Sequence, residues 1–399
     1  MHIGLITPGF SANESDWCIP ALLDFVHHPP HDITFSILTL RYPHTTTPYT
    51  VYGTPVTPLG FGTEAGLSRF FLYRQAMATL RALHAQKPFD LLHGFWADEA
   101  GFIATRAGEK LNIPALVSVM GGELVRFPSI RYGHGRSFFA RRMIKHALTH
   151  ADGVTGGSDS LVTAIKKQFQ ASAIPAWRVS LGVDIALFRP DGKAQSLKGD
   201  FKILHVASLA PIKNQALLIH AFAEFHQNYK KAHLHIVGDG ELKESLKALV
   251  KELNIKKAVT FHGAVPHHEM PQYYRAVDIC AITSYHESQS MVALEAAACG
   301  ILTVGTAVGI LPELIEAGLH ISPPTPPQLG DYHALADIFA RLAEDEIFSV
   351  NASSSARARI MTTYSLEQSA VVWANIYEAL SPLSSDEKYV KTGTLSGGG

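Results

Sequence analysis

The sequence has few cysteines and no long apolar run. Its three cysteines, Cys18, Cys280 and Cys299, are far apart, so they predict neither a disulfide framework nor a cysteine-based zinc site. The first residues lack a basic leader followed by an apolar stretch, so we expect no signal peptide. No segment has the uncharged length that spans a bilayer. These features favour a cytoplasmic protein that is soluble or at most peripheral on the inner membrane surface.

The net charge of the chain is also small. The 34 Lys and Arg residues nearly balance 35 Asp and Glu residues, which argues against a nucleic-acid partner held by bulk electrostatics. None of the 21 histidines forms a pair at helical metal-ligand spacing beside a carboxylate, so we expect no metal ion. A length of 399 residues with 47% hydrophobic residues predicts two packed domains.

Short apolar runs alternate with segments of helical period along the whole chain. This alternation is typical of parallel sheets covered by helices on both faces. Strands are expected at residues 2–7, 33–40, 89–93, 115–119, 153–156, 201–207, 233–237, 259–262, 279–283 and 302–305. Helices are expected at residues 67–85, 99–111, 136–150, 158–169, 214–229, 241–253, 332–344, 349–363 and 366–380, and residues 43–66 resemble a long irregular loop.

The pattern divides the chain into an α/β pair of doubly wound domains. We expect a first domain at residues 1–183, a linker at 184–199 and a second domain at 200–363. A helix at residues 364–382 is expected to pack back toward the first domain, and residues 383–399 are expected to be a disordered tail. Ligands of such sheets bind at the carboxyl ends of the strands, so a cleft between the domains is the expected site.

A dehydrogenase would use similar sheets. However, the turn after the first predicted strand, residues 7–13, does not contain G-x-G-x-x-G. In the second half, Gly238-Asp239-Gly240 matches only the first part of that motif. A dinucleotide cofactor is therefore disfavoured.

Two carboxylates, Glu287 and Glu295, flank the start of a predicted helix in the second half. Glu287 falls in the loop after a strand, and Glu295 lies inside the helix. The free N–H groups near Ser290, Met291 and Val292 form an anion site suited to a diphosphate. From position alone, a capped helix with two surface glutamates is the alternative.

Residues 259–313 resemble the signature of glycosyltransferase family 4, the retaining group 1 glycosyl transferases. The matching features occur in order: GAVP at 263–266, YYRAVD at 273–278, the E-x7-E pair, and EAAACGILTVGT at 295–306. Similar segments are SLGVDIALFRP at 180–190, VASLAPIKN at 206–214, HIVGDGELK at 235–243 and, more loosely, LLHGFWADEAG at 91–101. The resemblance implies a GT-B fold, with two Rossmann-like domains facing across a cleft.

The resemblance also implies roles for the donor residues. Glu287 resembles the acceptor of donor-sugar hydroxyls, Glu295 the ribose ligand, and Lys213 the cation that neutralises the leaving diphosphate. The expected donor-binding residues are Ser208, Lys213, Gly238, Glu241, Glu287, Ser290, Met291, Val292 and Glu295.

The acceptor is expected on the first domain, beside the loop 8–16. His93 is predicted to follow a strand and face the cleft edge, and it joins Glu287 and Lys213 as a candidate catalytic residue. A packed or water-bonded histidine is the alternative. The expected acceptor-binding residues are Gly9, Trp96, Asp98, Gly121, Gly122, Glu123 and Arg126.

Three positions depart from the common pattern of the family. Ser208 stands where many members have an arginine, five residues before Lys213. The segment 287–290 is Glu-Ser-Gln-Ser in place of Glu-Gly-Phe-Gly, so the resemblance implies a sugar pocket that carries the hydroxyl of Ser288 and the amide of Gln289. Met120 occupies a position where the family often has histidine. These departures leave the transferred sugar, the base and the acceptor unassigned.

The expected function is metal-independent transfer of a sugar, with retention, from a nucleotide-diphosphate sugar to a sugar, glycan, lipid-linked or small-molecule acceptor. A sugar-nucleotide epimerase and a non-catalytic binding or scaffold protein of the same fold are the alternatives. The segments 67–81 and 136–145 mix basic and apolar residues. Such helices can rest on anionic lipid, although packing on the protein's own sheet also explains them.

Overall fold

The computed structural model describes residues 1–13, 16, 18–62, 67–134, 137–169, 174–316 and 318–381. The tail predicted at residues 383–399 lies outside the described residues, as do residues 14 and 15 of the loop 8–16 and residue 136 of a predicted helix. In the part of the chain that is described, no helix combines the length and the apolar character needed to cross a membrane.

The first half forms an eight-stranded sheet with the order β3-β4-β2-β1-β5-β6-β7-β8. All neighbouring strands are parallel except β3 and β4, which are antiparallel. Its strands are β1 His2–Gly9, β2 Thr34–Tyr42, β3 Tyr49–Val51, β4 Thr54–Pro58, β5 Leu91–Phe95, β6 Ala115–Val119, β7 Gly153–Gly156 and β8 Ala176–Arg178. The helices that cover it are α1 Pro20–His27, α2 Leu67–Gln86, α3 Glu99–Leu111, α4 Phe138–His150 and α5 Asp159–Phe169.

The second half forms a six-stranded parallel sheet with the order β11-β10-β9-β12-β13-β14. Its strands are β9 Phe201–Val206, β10 Ala232–Val237, β11 Val259–Gly263, β12 Ile279–Ile282, β13 Leu302–Thr306 and β14 His320–Ile321. Its helices are α6 Gln215–Asn228, α7 Lys243–Glu252, α8 Met270–Tyr274, α9 Met291–Ala298, α10 Leu311–Leu314, α11 Tyr332–Glu344 and α12 Glu346–Arg359. The central strands are rich in Ile, Leu and Val because helices bury both of their faces.

The prediction of a long irregular loop at residues 43–66 is wrong at residues 49–58, and residues 63–66 lie outside the described residues. This segment contains β3 and β4, joined by a turn at Tyr52 and Gly53, which both have positive φ. Such a two-residue turn matches the twist of an antiparallel hairpin. Its Thr, Pro and Gly content resembled a loop, whereas buried residues alternate along β4 at Val56 and Pro58.

The last helix, α13 Leu366–Leu380, packs on the first domain although it follows the second domain in sequence. Trp373 is buried against Phe25 of α1, and its indole N–H donates to the carbonyl of Ser180 at 2.8 Å. Tyr377 is also buried there. Residues 184–199, which contain no named helix or strand, lead from the first domain to β9. The chain therefore crosses between the domains twice.

We predict that Trp373→Ala lowers the free energy of unfolding of the first domain by about 3–5 kcal/mol, because it leaves a cavity and an unpaired carbonyl. Urea unfolding followed by far-UV circular dichroism measures this change. Val371→Ala, at an exposed position of the same helix, is the matched control and should change the value by less than about 0.5 kcal/mol. Equal unfolding midpoints for the two variants would show that α13 is not part of the core of the first domain.

Candidate functional site

Each sheet has one point where the chain reverses its direction of winding. In the first sheet this point lies between β1 and β5, and in the second it lies between β9 and β12. Loops diverge after such neighbouring strands, and the gap between them is where parallel α/β sheets bind ligands. The loops after β9 and β12 carry Lys213 and Glu287, respectively.

Lys213 and Glu287 meet at the reversal point of the second sheet. The Lys213 ammonium lies 2.6 Å from Oε1 of Glu287, and the hydroxyl of Ser284 donates to the same oxygen at 2.6 Å. The Glu287 side chain is only 15% exposed. Burial by itself raises the pKa of Glu287, but Lys213 and the Ser284 hydroxyl outweigh it, so the pKa lies below its ordinary value.

Backbone contacts hold the two loops together. The Thr283 hydroxyl donates to the carbonyl of Lys213 at 3.1 Å, and the N–H of Tyr285 donates to the carbonyl of Ile212 at 2.9 Å. The loop after β12 is therefore tied directly to the short 3₁₀ helix Pro211–Lys213 after β9. The position of the ion pair follows from this backbone frame.

The start of α9 lies just beyond Glu287. Ser290 precedes the helix with φ of 80°, and its side chain makes no capping hydrogen bond. The first-turn N–H groups of Met291 and Val292 thus have no side-chain cap, which suits an anion. A Cβ on Gly309 would fall 2.4 Å from the carbonyl of Gln289 and 2.9 Å from Cβ of Glu287, so only glycine fits behind this loop.

Glu295 occupies a buried position inside α9. Its Oε2 accepts a hydrogen bond from the Tyr274 hydroxyl at 2.8 Å, and its Oε1 lies 3.0 Å from Nε2 of His267. Both carboxylate oxygens therefore have protein partners. The predicted ribose contact of Glu295 needs the remaining lone pairs of these oxygens or a displacement of His267.

The other predicted donor residues lie in the loops after β9 and β10. Ser208 is exposed after β9, and Glu241 is exposed after β10. Gly238 has φ of 128°, and a Cβ there would fall 1.9 Å from the carbonyl of Ala207. The glycine lets the loop after β10 lie directly against the loop after β9.

Glu123 has a different position from the expected acceptor contact. It is buried, and its carboxylate accepts N–H bonds from Ala97 at 3.3 Å, Met120 at 3.0 Å and Gly121 at 2.6 Å. Burial raises the pKa of Glu123. The residue ties the loop after β5 to the loop after β6, so it shapes this edge of the sheet without facing it.

Asp98 pairs with His134, a residue that the sequence did not single out. Nδ1 of His134 lies 2.9 Å from Oδ2 of Asp98, and this hydrogen bond raises the pKa of His134.

Trp96, another predicted acceptor residue, has positive φ and brings its indole nitrogen near Gly121. Of the remaining predicted acceptor residues, Arg126 is exposed, whereas Gly9 is buried at the end of β1 and Gly122 is buried in the loop after β6.

The expectation that His93 follows a strand and faces the cleft is wrong. His93 lies within β5 and has no exposed surface. Its ring nitrogens contact the hydroxyls of Tyr377 at 2.8 Å and Ser118 at 2.7 Å. Burial lowers the pKa of His93 to about 3, so it is a neutral core residue. The strand begins two residues later than predicted, which moves His93 inside it.

The segment 286–289 also joins the two domains. The Ser288 hydroxyl donates to the carbonyl of Met120 at 2.6 Å, and Nε2 of His286 lies 3.3 Å from the carbonyl of Gly121. Nε2 of Gln289 donates to the hydroxyl of Ser180 at 2.5 Å. The sequence placed Ser288 and Gln289 in the sugar pocket, whereas these contacts place them at the domain interface.

Two further residues of the site were missed by the sequence analysis. Ser284 contacts Glu287, and its only sequence signal is its place directly after a strand. His134 gives no signal, because its partner Asp98 lies on another loop. Within the described ranges, no group of three or more His, Cys, Asp and Glu residues is arranged to hold a metal ion.

Comparisons with known proteins cover nearly the same residues as the two domains. The family described as glycosyl transferases group 1 matches residues 189–359, and the family described as glycosyl transferase 4-like domain matches residues 30–182. D-inositol 3-phosphate glycosyltransferase of Kineococcus radiotolerans is 28% identical over 255 residues, which are 59% of this chain. The match spans 58% of the length of that relative.

Solved structures share the fold across both domains. Sucrose-phosphate synthase of Thermosynechococcus elongatus aligns with a TM-score of 0.76 at 20% identity, covering 95% of this chain and 98% of that chain. Anabaena HepE in complex with UDP-glucose aligns with a TM-score of 0.71 at 19% identity, covering 95% and 100%. The fold is thus GT-B, as the sequence predicted, and the chain belongs to the group 1 glycosyl transferases.

Proposed function

We propose that this chain transfers a sugar from a nucleoside-diphosphate sugar to a carbohydrate or lipid-linked acceptor. The observation that carries the proposal is the Lys213–Glu287 pair beside the uncapped start of α9. It combines a cation, free N–H groups and an ionised carboxylate at the reversal point of one sheet. Membership of the family supports the same reaction.

The donor is held by the second domain in this proposal. Lys213 and the N–H groups of Met291 and Val292 neutralise the diphosphate, since each places positive charge at one edge of the pocket. Glu287 accepts hydrogen bonds from hydroxyls of the transferred sugar. Glu295 accepts from the ribose.

The base and ribose side of the pocket extends along the loops after β9 and β10. Ser208 and Gly238 contribute backbone surface there, and Glu241 offers an exposed carboxylate. Backbone groups recognise the shape of a nucleotide base more than its chemical identity. The base of the nucleotide is therefore left to experiment.

Transfer proceeds with retention of the anomeric configuration. The acceptor attacks the anomeric carbon on the same face from which the diphosphate leaves. The acceptor oxygen bonds to the anomeric carbon as the bond from that carbon to the phosphate oxygen breaks, and the acceptor proton passes to the departing phosphate. Lys213 and the helix start stabilise the charge that develops on the phosphate. This route needs no protein base, so the loss of His93 from the site does not affect it. It is proposed to need no metal ion.

The acceptor is placed against the first domain, at the ends of β5 and β6. Trp96 offers an apolar and hydrogen-bonding surface, and Asp98 offers a carboxylate near the exposed ring of His134. Gly121 leaves space beside Trp96. The exposed Arg126 adds a cation farther out.

A cytoplasmic location of the protein stays a prediction.

We predict that Lys213→Ala and Glu287→Gln each lower the turnover of the accepted donor by about 10²–10³-fold, because each removes a charged partner of the reacting groups. UDP-, GDP- and ADP-sugars are first screened by their effect on the melting temperature. Hydrolysis and transfer of the stabilising donor are then measured by release of nucleoside diphosphate.

Lys243→Ala is the matched control, since Lys243 forms an exposed ion pair with Asp239 nearby at 2.6 Å. Parental turnover in both Lys213→Ala and Glu287→Gln would show that the site is assigned wrongly. Donor-dependent stabilisation without turnover on any acceptor would support a non-catalytic binding protein. Sugar interconversion without an acceptor would support an epimerase.

The low pKa of Glu287 predicts a defined pH dependence of stability. Because the folded-state pKa lies below the ordinary value of 4.5, the ion pair stabilises the fold fully above that value. The stabilisation is lost as the pH falls through the folded-state pKa. The difference in free energy of unfolding between the parent and Lys213→Met should shrink over this range. Lys243→Met, which breaks a surface pair, should differ little from the parent at any pH. A pH-independent difference for Lys213→Met would contradict the assignment.

A further inference from the structure

A groove of about 960 Å³ lies on the outer face of the first domain, between α2 and α4 and above α3. Phe70 of α2 and the adjacent Phe138 and Phe139 of α4 line it. These rings are 54%, 60% and 68% exposed, respectively. Phe71 is also exposed and contacts Phe70 edge-on. Phe70, Phe138 and Phe139 thus expose apolar rings around one groove, whereas α2 and α4 bury other residues against the domain.

The charge of the two helices has one sign. α2 carries three arginines and α4 carries two arginines and a lysine, and neither helix contains Asp or Glu. This contrasts with the whole chain, whose net charge is −1. The exposed cations are Arg74, Arg81, Arg141, Arg142 and Lys145.

Among the described residues that line the groove, the acidic one is Glu99, and its charge is neutralised by arginines. Glu99 pairs with Arg41 at 2.7 Å and with Arg69 at 3.0 Å. The cations at the rim, Arg142 and Lys145, therefore face outward with no acidic residue on their own helix. A negatively charged surface is the complement of this face.

One end of the groove leads to the carboxyl edge of the first sheet. A polar pocket of about 470 Å³ shares Arg69, Glu99 and Met143 with the groove and adds Asp98 and His134. The apolar surface is thus continuous with the place where the acceptor is proposed to bind. A surface that supplies acceptors in a lipid layer would meet both features at once.

We propose that the face formed by α2 and α4 docks on the surface of an anionic phospholipid bilayer. Phe70, Phe138 and Phe139 enter the boundary between headgroups and acyl chains, and the surrounding Arg and Lys side chains contact lipid phosphates. The docking orients the polar pocket at Asp98 and His134 toward the membrane. It does not depend on sugar transfer.

The test is co-sedimentation of the full chain with vesicles, without nucleotide. Vesicles of phosphatidylcholine containing phosphatidylglycerol should bind the protein, and vesicles of phosphatidylcholine alone should bind it at least about tenfold more weakly. The double variant Phe138→Ser with Phe139→Ser should lower the binding to anionic vesicles by about tenfold. Arg141→Glu with Arg142→Glu should lower it similarly, and added salt should weaken the parent.

Matched controls alter the same kinds of residues in the second domain. Ile347→Ser with Val350→Ser removes two exposed apolar side chains of α12, and Lys256→Glu with Lys257→Glu reverses two exposed cations. Both should bind vesicles like the parent, and all variants should keep the parental melting temperature. Absence of binding to anionic vesicles, or equal binding by the Phe138/Phe139 variant, overturns the proposal. Either result leaves the sugar-transfer proposal intact, because turnover is assayed separately.

Discussion

The ion pair of Lys213 and Glu287 is the interaction around which the second domain organises its site. Removing two charges from water is costly, and the attraction between them repays this only when geometry and further hydrogen bonds are favourable. Here Ser284 supplies the further bond, and the loops after β9 and β12 supply the geometry. Without a ligand, Glu287 is the counter-charge of Lys213. In the proposed reaction a diphosphate takes over that function, which leaves Glu287 free to accept sugar hydroxyls.

The sequence predicted regular elements well where one pattern dominated. β6, β7, α3, α11 and α13 have the predicted bounds, because apolar runs or helical periods there are bordered by clear stop signals. Prediction failed at residues 49–58, where a hairpin has the composition of a loop. It also missed β8 and β14, which are short strands at the edges of their sheets. Such strands depend on pairing with a neighbour more than on their own sequence.

The site was predictable to the extent that it follows from strand order. Lys213 and Glu287 are 74 residues apart in the chain, but both follow central strands, and the sequence placed both among the expected donor-binding residues. The position of His93 was wrong because it depends on a shift of two residues in one strand boundary. The sequence predicted Glu123 on the acceptor side of the cleft and Gln289 in the sugar pocket. Their actual partners are backbone N–H groups and a serine of the other domain, which no spacing in one segment reveals.

Two of the three departures from the common family pattern, the segment 287–290 and Met120, are in contact with each other. Ser288, which stands where glycine is common, donates its hydroxyl to the carbonyl of Met120, which stands where histidine is common. A backbone carbonyl accepts this bond whatever side chain the residue carries, so the change at Met120 does not remove the acceptor. Gln289 in turn needs Gly157 beside it, since a Cβ there would fall 2.6 Å from Cβ of Gln289. The Ser-Gln-Ser segment is therefore better explained as a contact that sets the distance between the domains than as a change in sugar recognition. In the proposed reaction, recognition of the sugar then rests on Glu287, whose neighbours Lys213 and Ser284 are supplied by the second domain alone.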